Sequence, residues 1–313
     1  MQLRNLGSSG LQVSVIGLGC NNFGGRIDLE ASRKVIHKAL DLGITLFDTA
    51  DVYGNDGGSE SALGQTLGAR RKDVMLATKF GWPGEGGAPR GASRRYILTA
   101  VEASLRRLKT DWIDLYQLHK PDPSTPLEET LRTLDDLLRQ GKIRYFGCSN
   151  LPAWQVVESQ WTSRVLGING FISCQDEYSL LVRNIERELI PAINAYHLGL
   201  LPYFPLASGL LTGKYKQGEA PAQGTRLAKW QNFAQNFLKE SNLEKMERLR
   251  EFSARRGHTL LELAFSWLLA KPAVSSVIAG ATRPEQLEEN AKAGGWSLTA
   301  EELAEVDRLS APV

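Results

Sequence analysis

Asp48, Tyr53, Lys79 and His119 are the side chains best suited to joint chemistry, because each stands at or just beyond the end of an apolar, strand-like run. Asp48 closes Ile44–Asp48, Lys79 closes Val74–Lys79 and His119 closes Ile113–His119, while Tyr53 lies in Phe47-Asp48-Thr49-Ala50-Asp51-Val52-Tyr53-Gly54. An aspartate ending a buried strand needs a partner. An ammonium on the next strand supplies one. Tyrosine has an ordinary pKa of ~10, so it holds its proton at neutrality and donates weakly. Bringing it down to ~7–8 takes roughly 3–4 kcal/mol in favour of the phenolate. An ammonium at ~4 Å supplies about 4 kcal/mol at an effective dielectric near 20. Lys79 is therefore expected to lower the Tyr53 pKa, and Asp48 to keep Lys79 charged and oriented. His119, neutral in an apolar strand, would hydrogen-bond a substrate oxygen. Such a set delivers a proton to a carbonyl oxygen.

Taken singly, each residue has a plainer reading: a structural ion pair for Asp48 and Lys79, a loop aromatic for Tyr53, a packed core histidine for His119. Convergence on one face separates the two readings. Eight apolar runs are present: Val15–Gly19, Ile44–Asp48, Val74–Lys79, Ile113–His119, Ile143–Asn150, Phe171–Gln175, Leu200–Phe204 and Ser276–Gly280. Helix-like segments separate most of them. This alternation predicts an α/β fold, a (β/α)8 TIM barrel in which all strand C-termini meet on one catalytic face.

Further elements frame the barrel. A polar strand, the turn Gly7-Ser8-Ser9-Gly10 and Leu11–Val13 predict an N-terminal hairpin able to plug its bottom. Asp28 and Ser93 are placed to start helices, and Gly43 to end one. Thr125–Glu128, Ser241–Glu244 and Thr299–Glu302 spell capping boxes. Helical segments over 242–256 and 259–270 precede the last strand, so one of them is extra, and a final helix covers about 300–310. No linker or repeat interrupts the pattern, which predicts one domain over 1–313. Loops Gly81–Ala92 and Ala207–Glu240 are long enough to hold ligands or act as lids.

Composition excludes several classes. The 313 residues carry a net charge of +2 with no basic block, which argues against a nucleic-acid partner. The stretch Leu198–Thr212 is too short and too proline-broken to span a bilayer. The N-terminus has no apolar secretory segment. Cys20, Cys148 and Cys174 form no framework spacing, so buried inert thiols in a reduced, cytoplasmic setting are expected. The four histidines have no metal-ligand spacing, and no Gly-x-Ser-x-Gly elbow offers a nucleophile. Nothing in the pattern indicates an oligomeric state.

A second group suits a nucleotide. Ser149, Asn150 and Gln175 close two strands and can bond a planar carboxamide, although loop-start chemistry also uses such residues. Tyr203 can stack on a flat ring or simply fill the core. Ser208-Gly209-Leu210-Leu211-Thr212-Gly213-Lys214 brings backbone amides and an ammonium together, without matching the P-loop. Gly280-Ala281-Thr282-Arg283-Pro284-Glu285 opens a helix after the eighth strand, a phosphate site with a guanidinium at hand. Gly17-Leu18-Gly19 begins like a dinucleotide fingerprint, but Asn22 occupies the next glycine position.

Together these motifs resemble the aldo-keto reductases over about residues 2–310, above all their bacterial branch. The carriers are Asp48 and Tyr53 in Asp-Thr-Ala-Asp-x-Tyr-Gly, Lys79 in Ala-Thr-Lys-Phe, His119 in Asp-Leu-Tyr-Gln-Leu-His, Gly-Leu-Leu-Thr-Gly-Lys and Gly-Ala-x-Arg-Pro-Glu-Gln. The resemblance implies NADPH-dependent reduction of aldehydes, ketones or sugar carbonyls to alcohols, with Tyr53 as proton donor. It implies that Ser149, Asn150 and Gln175 hold the carboxamide and that Tyr203 stacks on the nicotinamide. It implies that Ser208, Gly209, Gly213 and Lys214 meet the pyrophosphate. Gly280, Ala281, Thr282, Arg283, Gln286, Glu289 and Asn290 would hold the adenosine end, with Cys20, Pro205 and Leu206 completing the cofactor wall. Many animal members carry Lys-Ser at Gly280-Ala281 and arginine at Gln286. Arg283 is thus the visible cation for a 2′-phosphate, and NADP is expected ahead of NAD. The chain stops at Val313 without a long C-terminal loop, so Asn22, Phe23, Trp82 and the 207–240 segment are expected to shape the substrate pocket. Two other functions use the same residues: a nucleotide-binding regulatory or structural barrel with little turnover, and a Schiff-base aldolase on Lys79. The second requires a free amine, which Asp48 would deny.

Overall fold

The computed structural model of the chain describes residues 1–83, 91–215 and 237–311. The parts of the two long loops over 84–90 and 216–236 lie outside them. Strands β1 (Leu3–Asn5) and β2 (Gln12–Ser14) form the expected antiparallel hairpin. Eight parallel strands follow: β3 (Ile16–Gly19), β4 (Leu46–Asp48), β5 (Met75–Phe80), β6 (Ile113–Leu118), β7 (Ile143–Ser149), β8 (Ser173–Gln175), β9 (Gly199–Leu200) and β10 (Val277–Gly280). Their order in the sheet is β10-β3-β4-β5-β6-β7-β8-β9. The two ends meet where Leu200 N–H donates to Ala273 O at 2.7 Å, Ser275 N–H to Leu200 O at 3.0 Å and Ile278 N–H to Pro202 O at 3.0 Å. This is the (β/α)8 barrel.

Helices α1 (Leu29–Asp41), α2 (Tyr53–Leu67), α3 (Arg94–Leu108), α4 (Leu127–Arg139), α5 (Ala153–Leu166) and α6 (Leu189–Tyr196) alternate with the strands. After β9 come α7 (Glu240–Ala254) and α8 (Leu260–Leu269); α9 (Pro284–Ala293) and α10 (Ala300–Leu309) follow β10. Helix α8 packs on β10 and α9, whereas α7 lies on α8 and α10, so α7 is the added helix. No helix among the described residues is long and apolar enough to cross a membrane.

Local signals explain most boundaries. Asp28 accepts from Ala31 N and Ser93 from Tyr96 N, as N-caps should. Gly43 leaves α1 at a φ of 72°. The box at Thr299–Glu302 is complete. Two expected boxes are absent. Thr125 spends its hydroxyl on Asp122, and α4 starts one residue later behind Pro126. Helix α7 takes Lys239 as N-cap, so Ser241 is already inside it. Thr259 and Glu262 form a box on α8 that the sequence reading passed over. The run expected over Leu200–Phe204 is shorter as a ladder. Pro202 has no N–H to give β10, and Phe204 turns out of the barrel at a φ of 51°.

The barrel interior is layered. Leu6, Leu11 and Val13 of the hairpin region pack with Leu46, Ala77, Leu115, Leu201 and Ile278 into one small inner cluster. This apolar layer closes the bottom, and polar side chains occupy the layer above it.

Candidate active site

Strand alternation aims those polar side chains inward. Leu46, Ala77 and Leu115 face the inner cluster, so Asp48, Lys79 and His119, an even number of residues further on, share that face. Lys79 is fully buried. Its Nζ donates to Asp48 Oδ2 at 2.7 Å, to Thr49 O at 2.9 Å and to Tyr53 Oη at 3.4 Å. The His119 ring meets the Tyr53 ring edge-on at 5.7 Å and the Trp82 ring at 4.7 Å.

Hydrogen bonds tie this group to the next strands. Gln175 Nε2 donates to Asp48 Oδ1 at 2.8 Å, and Ser149 Oγ donates to Gln175 O at 2.8 Å. Asn150 Nδ2 donates to Ser149 Oγ at 2.8 Å and to His119 O at 3.0 Å, while Tyr203 Oη donates to Asn150 Oδ1 at 2.7 Å. A chain of bonded residues thus links the Tyr203 phenol to the Tyr53 phenol through five others: Asn150, Ser149, Gln175, Asp48 and Lys79.

Tyr53 is held by an unusual start to α2. Gly54, Asn55, Asp56 and Gly57 all have positive φ, from 60° to 102°, making a left-handed turn before the regular helix. Glycine, asparagine and aspartate are the residues that tolerate it. The turn also touches the loop after β3. A Cβ on Gly54 would fall 2.2 Å from Phe23 O, and one on Gly24 would fall 2.5 Å from Gly58 C. Ser59 Oγ, on the first regular turn, donates to Cys20 O at 2.8 Å.

Burial sets the proton affinities. His119 is driven down to about 2, chiefly by burial and then by the charges of Lys79 and Lys120, so its ring is neutral. Burial alone would lower the Lys79 pKa, but Asp48 and Tyr53 more than offset it and the ammonium is retained. Tyr53 departs from expectation. Its pKa lies above the ordinary tyrosine value, because burial raises it and Asp48 adds to the rise, outweighing the lowering by Lys79. The ammonium acting alone would have lowered it. In the fold that charge is largely spent on Asp48, and the phenol itself loses water.

A cavity of about 880 Å³ opens above this group. Tyr53, His119 and Asp48 line its floor, with Lys79 sealed beneath. Of the expected cofactor residues, Ser149, Asn150, Gln175, Tyr203, Pro205, Leu206, Ser208, Gly209, Lys214, Gly280, Thr282, Arg283, Gln286, Glu289 and Asn290 line it. Cys20, Gly213 and Ala281 do not, although Ala281 O accepts from Asn22 Nδ2 at 3.4 Å. Asn22 and Trp82 line the cavity as expected of substrate contacts. Phe23 does not: it is fully buried in the main core, where its apolar ring is better placed than at a wet mouth.

Two features of the wall suit a phosphate-bearing ligand. Ser208 Oγ is buried without a partner. Next to it, a Cβ on Gly209 would sit 2.9 Å from Lys214 Nζ, so only glycine lets the ammonium fold over this turn. An orphaned hydroxyl beside an ammonium is a ready place for a pyrophosphate oxygen. At the far end, Thr282 N and Oγ1 donate to Gln286 Oε1 at 2.9 and 3.1 Å, fixing the loop before α9, and exposed Arg283 stands at the rim.

The sequence profile of the aldo/keto reductase family matches residues 15–311. The chain belongs to the aldo/keto reductase family. It is therefore related to oxidoreductases that act on carbonyl compounds. A "Probable voltage-gated potassium channel subunit beta" of Oryza sativa subsp. japonica is 39% identical over 299 residues, covering 94% of this chain and 91% of that protein. A protein of the same name from Arabidopsis thaliana gives the same figures, 39% over 299 residues. The "L-glyceraldehyde 3-phosphate reductase" of Escherichia coli (strain K12) is 36% identical over 323 residues, covering 98% of this chain and 92% of that protein.

Within this aldo/keto reductase, sequence reasoning missed two basic residues of the cavity, Arg26 and Lys120. Lys120 directly follows His119, so strand polarity alone could have drawn attention to it. Arg26 sits in an irregular loop with no such signal. Asp176 and Glu177 were also passed over. Burial lifts Asp176 to about 8, against the pull of Lys120 and a backbone bond at Asn150.

Proposed function

We propose that this aldo/keto reductase reduces aldehydes or ketones to alcohols with NADPH, with Tyr53 as the proton donor. The observation that carries the reading is a protonated phenol, an ammonium at 3.4 Å and a neutral imidazole edge-on to the phenol, all at the floor of one cavity. Bound NADPH supplies the hydride to the carbonyl carbon. The chain's own part is to hold and release a proton. Tyr53 Oη gives its proton to the carbonyl oxygen as negative charge develops there. Lys79 then faces a phenolate, and the ammonium that was mostly spent on Asp48 acquires a second anion to bond. His119 aligns the oxygen without competing for the proton, since it stays neutral. Ser149, Asn150 and Gln175 would hold the carboxamide, Tyr203 the ring face, Ser208 and Lys214 the pyrophosphate, and Arg283 the adenosine end. Arg283, exposed at the rim, offers a fork-shaped cation to a 2′-phosphate, which favours NADP over NAD.

A substrate with an anionic tail suits the cavity. The Escherichia coli relative is named for a phosphorylated aldehyde. Here Arg26 and Lys120 line the same cavity as Tyr53. Burial lifts Asp176, near Lys120, to about 8, so at neutrality it is largely protonated; burial also lowers the Lys120 pKa, while Asp176 and Glu177 pull it up. The three cysteines are buried and unpaired, in keeping with a cytoplasmic enzyme working as one barrel domain over 1–313.

The test is consumption of NADPH against a panel of neutral and phosphorylated aldehydes. Tyr53→Phe is expected to lower kcat at least ~100-fold. Retained turnover in Tyr53→Phe would remove that residue from its role. The channel-subunit relatives favour a second reading, a nucleotide-binding barrel with little turnover. Tight NADPH binding with no turnover on any member of the panel would support it.

A further inference from the structure

Gln117, on β6, is fully buried, and neither its Oε1 nor its Nε2 has a partner among the described residues. A carboxamide sealed from bulk solvent with nothing bonded to it is costly, and native proteins seldom leave one so. Leu115, two residues earlier, belongs to the inner cluster, so Gln117 points into the barrel as well. Lys79 is its partner in register on β5, but that ammonium already gives its N–H groups to Asp48, Thr49 and Tyr53. Gly147, its partner on β7, has no side chain to offer.

Two further side chains in the barrel share the same want. His119, two residues on and ~6.6 Å along the same face of β6, has a buried Nδ1 without a partner among the described residues. Beyond Gly147, Ser173 of β8 is fully buried with an equally unpartnered Oγ. A Cβ on Gly147 would lie 2.3 Å from that oxygen, so only glycine lets the hydroxyl lean towards β6. Three interior side chains thus hold four polar atoms that do not bond one another. Such spacing and polarity suit internal water, which bridges groups of this kind.

His119 lines the cavity and its buried nitrogen is Nδ1, so Nε2 is the nitrogen presented to a substrate. A neutral imidazole carries one N–H, and the bond made at one nitrogen decides whether the other keeps it. We propose that Gln117 is a positioning residue: through a water in the barrel interior it supplies a donor to His119 Nδ1 and so holds the ring proton on Nε2. The water accepts from Gln117 Nε2 and donates to Nδ1. The other end of the amide, Oε1, accepts from Ser173 in the same manner, which fixes which way round the amide lies. The use of the Nε2 proton, to bond the carbonyl oxygen, rests on the reading given above; the tautomer itself does not.

Nitrogen-15 NMR of the histidine-labelled, nucleotide-free chain at about pH 8, where the ring is neutral, tests it. His119→Asn assigns the signals, and circular dichroism checks folding. His119 should show a single tautomer, with the proton on Nε2 and none on Nδ1. Gln117→Met removes the amide at similar volume. It should populate the Nδ1–H form and lower kcat about tenfold, with the affinity for NADPH unchanged. A crystal structure should hold an ordered water within about 3.2 Å of both Gln117 Nε2 and His119 Nδ1. Any other partner for Nδ1, or a tautomer unmoved in Gln117→Met, overturns the inference. So does a tautomer that shifts with no change in kcat. In a chain that reduces no carbonyl, the catalytic reading fails separately and the tautomer alone decides this one.

Discussion

Lys79 answers to three neighbours, and Asp48 at 2.7 Å and Thr49 O at 2.9 Å hold it more closely than Tyr53 at 3.4 Å. The Tyr53 pKa is raised, not lowered, so under the proposed role as proton donor the pH dependence has a definite sign. A raised tyrosine pKa keeps the donor protonated to higher pH. His119 at about 2 contributes no protonation step in the ordinary histidine range. The rate of carbonyl reduction should stay level from about pH 6 to pH 9 and fall only above the usual tyrosine value of ~10. A pH–rate profile that bends near ~6.5 would contradict this and return His119 to the role of titrating acid. A second expectation belongs to Lys120. Lys120→Met should raise KM for glyceraldehyde 3-phosphate about tenfold, a loss of about 1.4 kcal/mol, and leave KM for glyceraldehyde nearly unchanged. Steady-state kinetics on the matched pair checks it; equal effects on both substrates would remove the anion-binding role. The convergence of Asp48, Tyr53, Lys79 and His119 was legible because three of them close apolar runs and Tyr53 follows one shortly after. Their energetics were not. Burial of the phenol, and the bond from Gln175 to Asp48 across the barrel, depend on neighbours far apart in the chain.

At the scale of single elements, one spelling gave different outcomes. Thr299 with Glu302 caps α10, and Thr259 with Glu262 caps α8. Thr125 and Ser241, in similar contexts, cap nothing. A capping box requires its serine or threonine to be the last extended residue. At Thr125 the hydroxyl has a nearer acceptor in Asp122, at 2.8 Å. Thr259→Ala should therefore cost about 1 kcal/mol in urea unfolding, whereas Ser241→Ala should cost no more than ~0.3 kcal/mol. Equal losses at the two sites would show that the difference in cap geometry has no energetic weight. The eight strands were legible because each is an apolar run of strand length. The left-handed turn at Gly54–Gly57 was not, since glycine-rich sequence marks a turn without stating its hand.

For the whole molecule, the layering of the barrel separates stability from chemistry. Leu6, Leu11 and Val13 fill the bottom layer, and Asp48, Lys79 and His119 lie above it. Leu6→Ala, at a fully buried site, should cost roughly 3 kcal/mol by leaving a cavity. It should leave kcat and KM nearly unchanged, as urea melts and kinetics on the same sample would reveal. A kcat that falls with stability would mean the two layers are coupled. The glycine contacts at the mouth have a consequence of their own. With Gly24 against Gly58 and Gly54 against Phe23, no side chain separates the first two loops of the rim. They form one jaw, and Tyr53 rides on it. The Tyr53 phenol is thus held in place by the backbone, and any substitution at Gly24 or Gly54 large enough to part the two loops would move it.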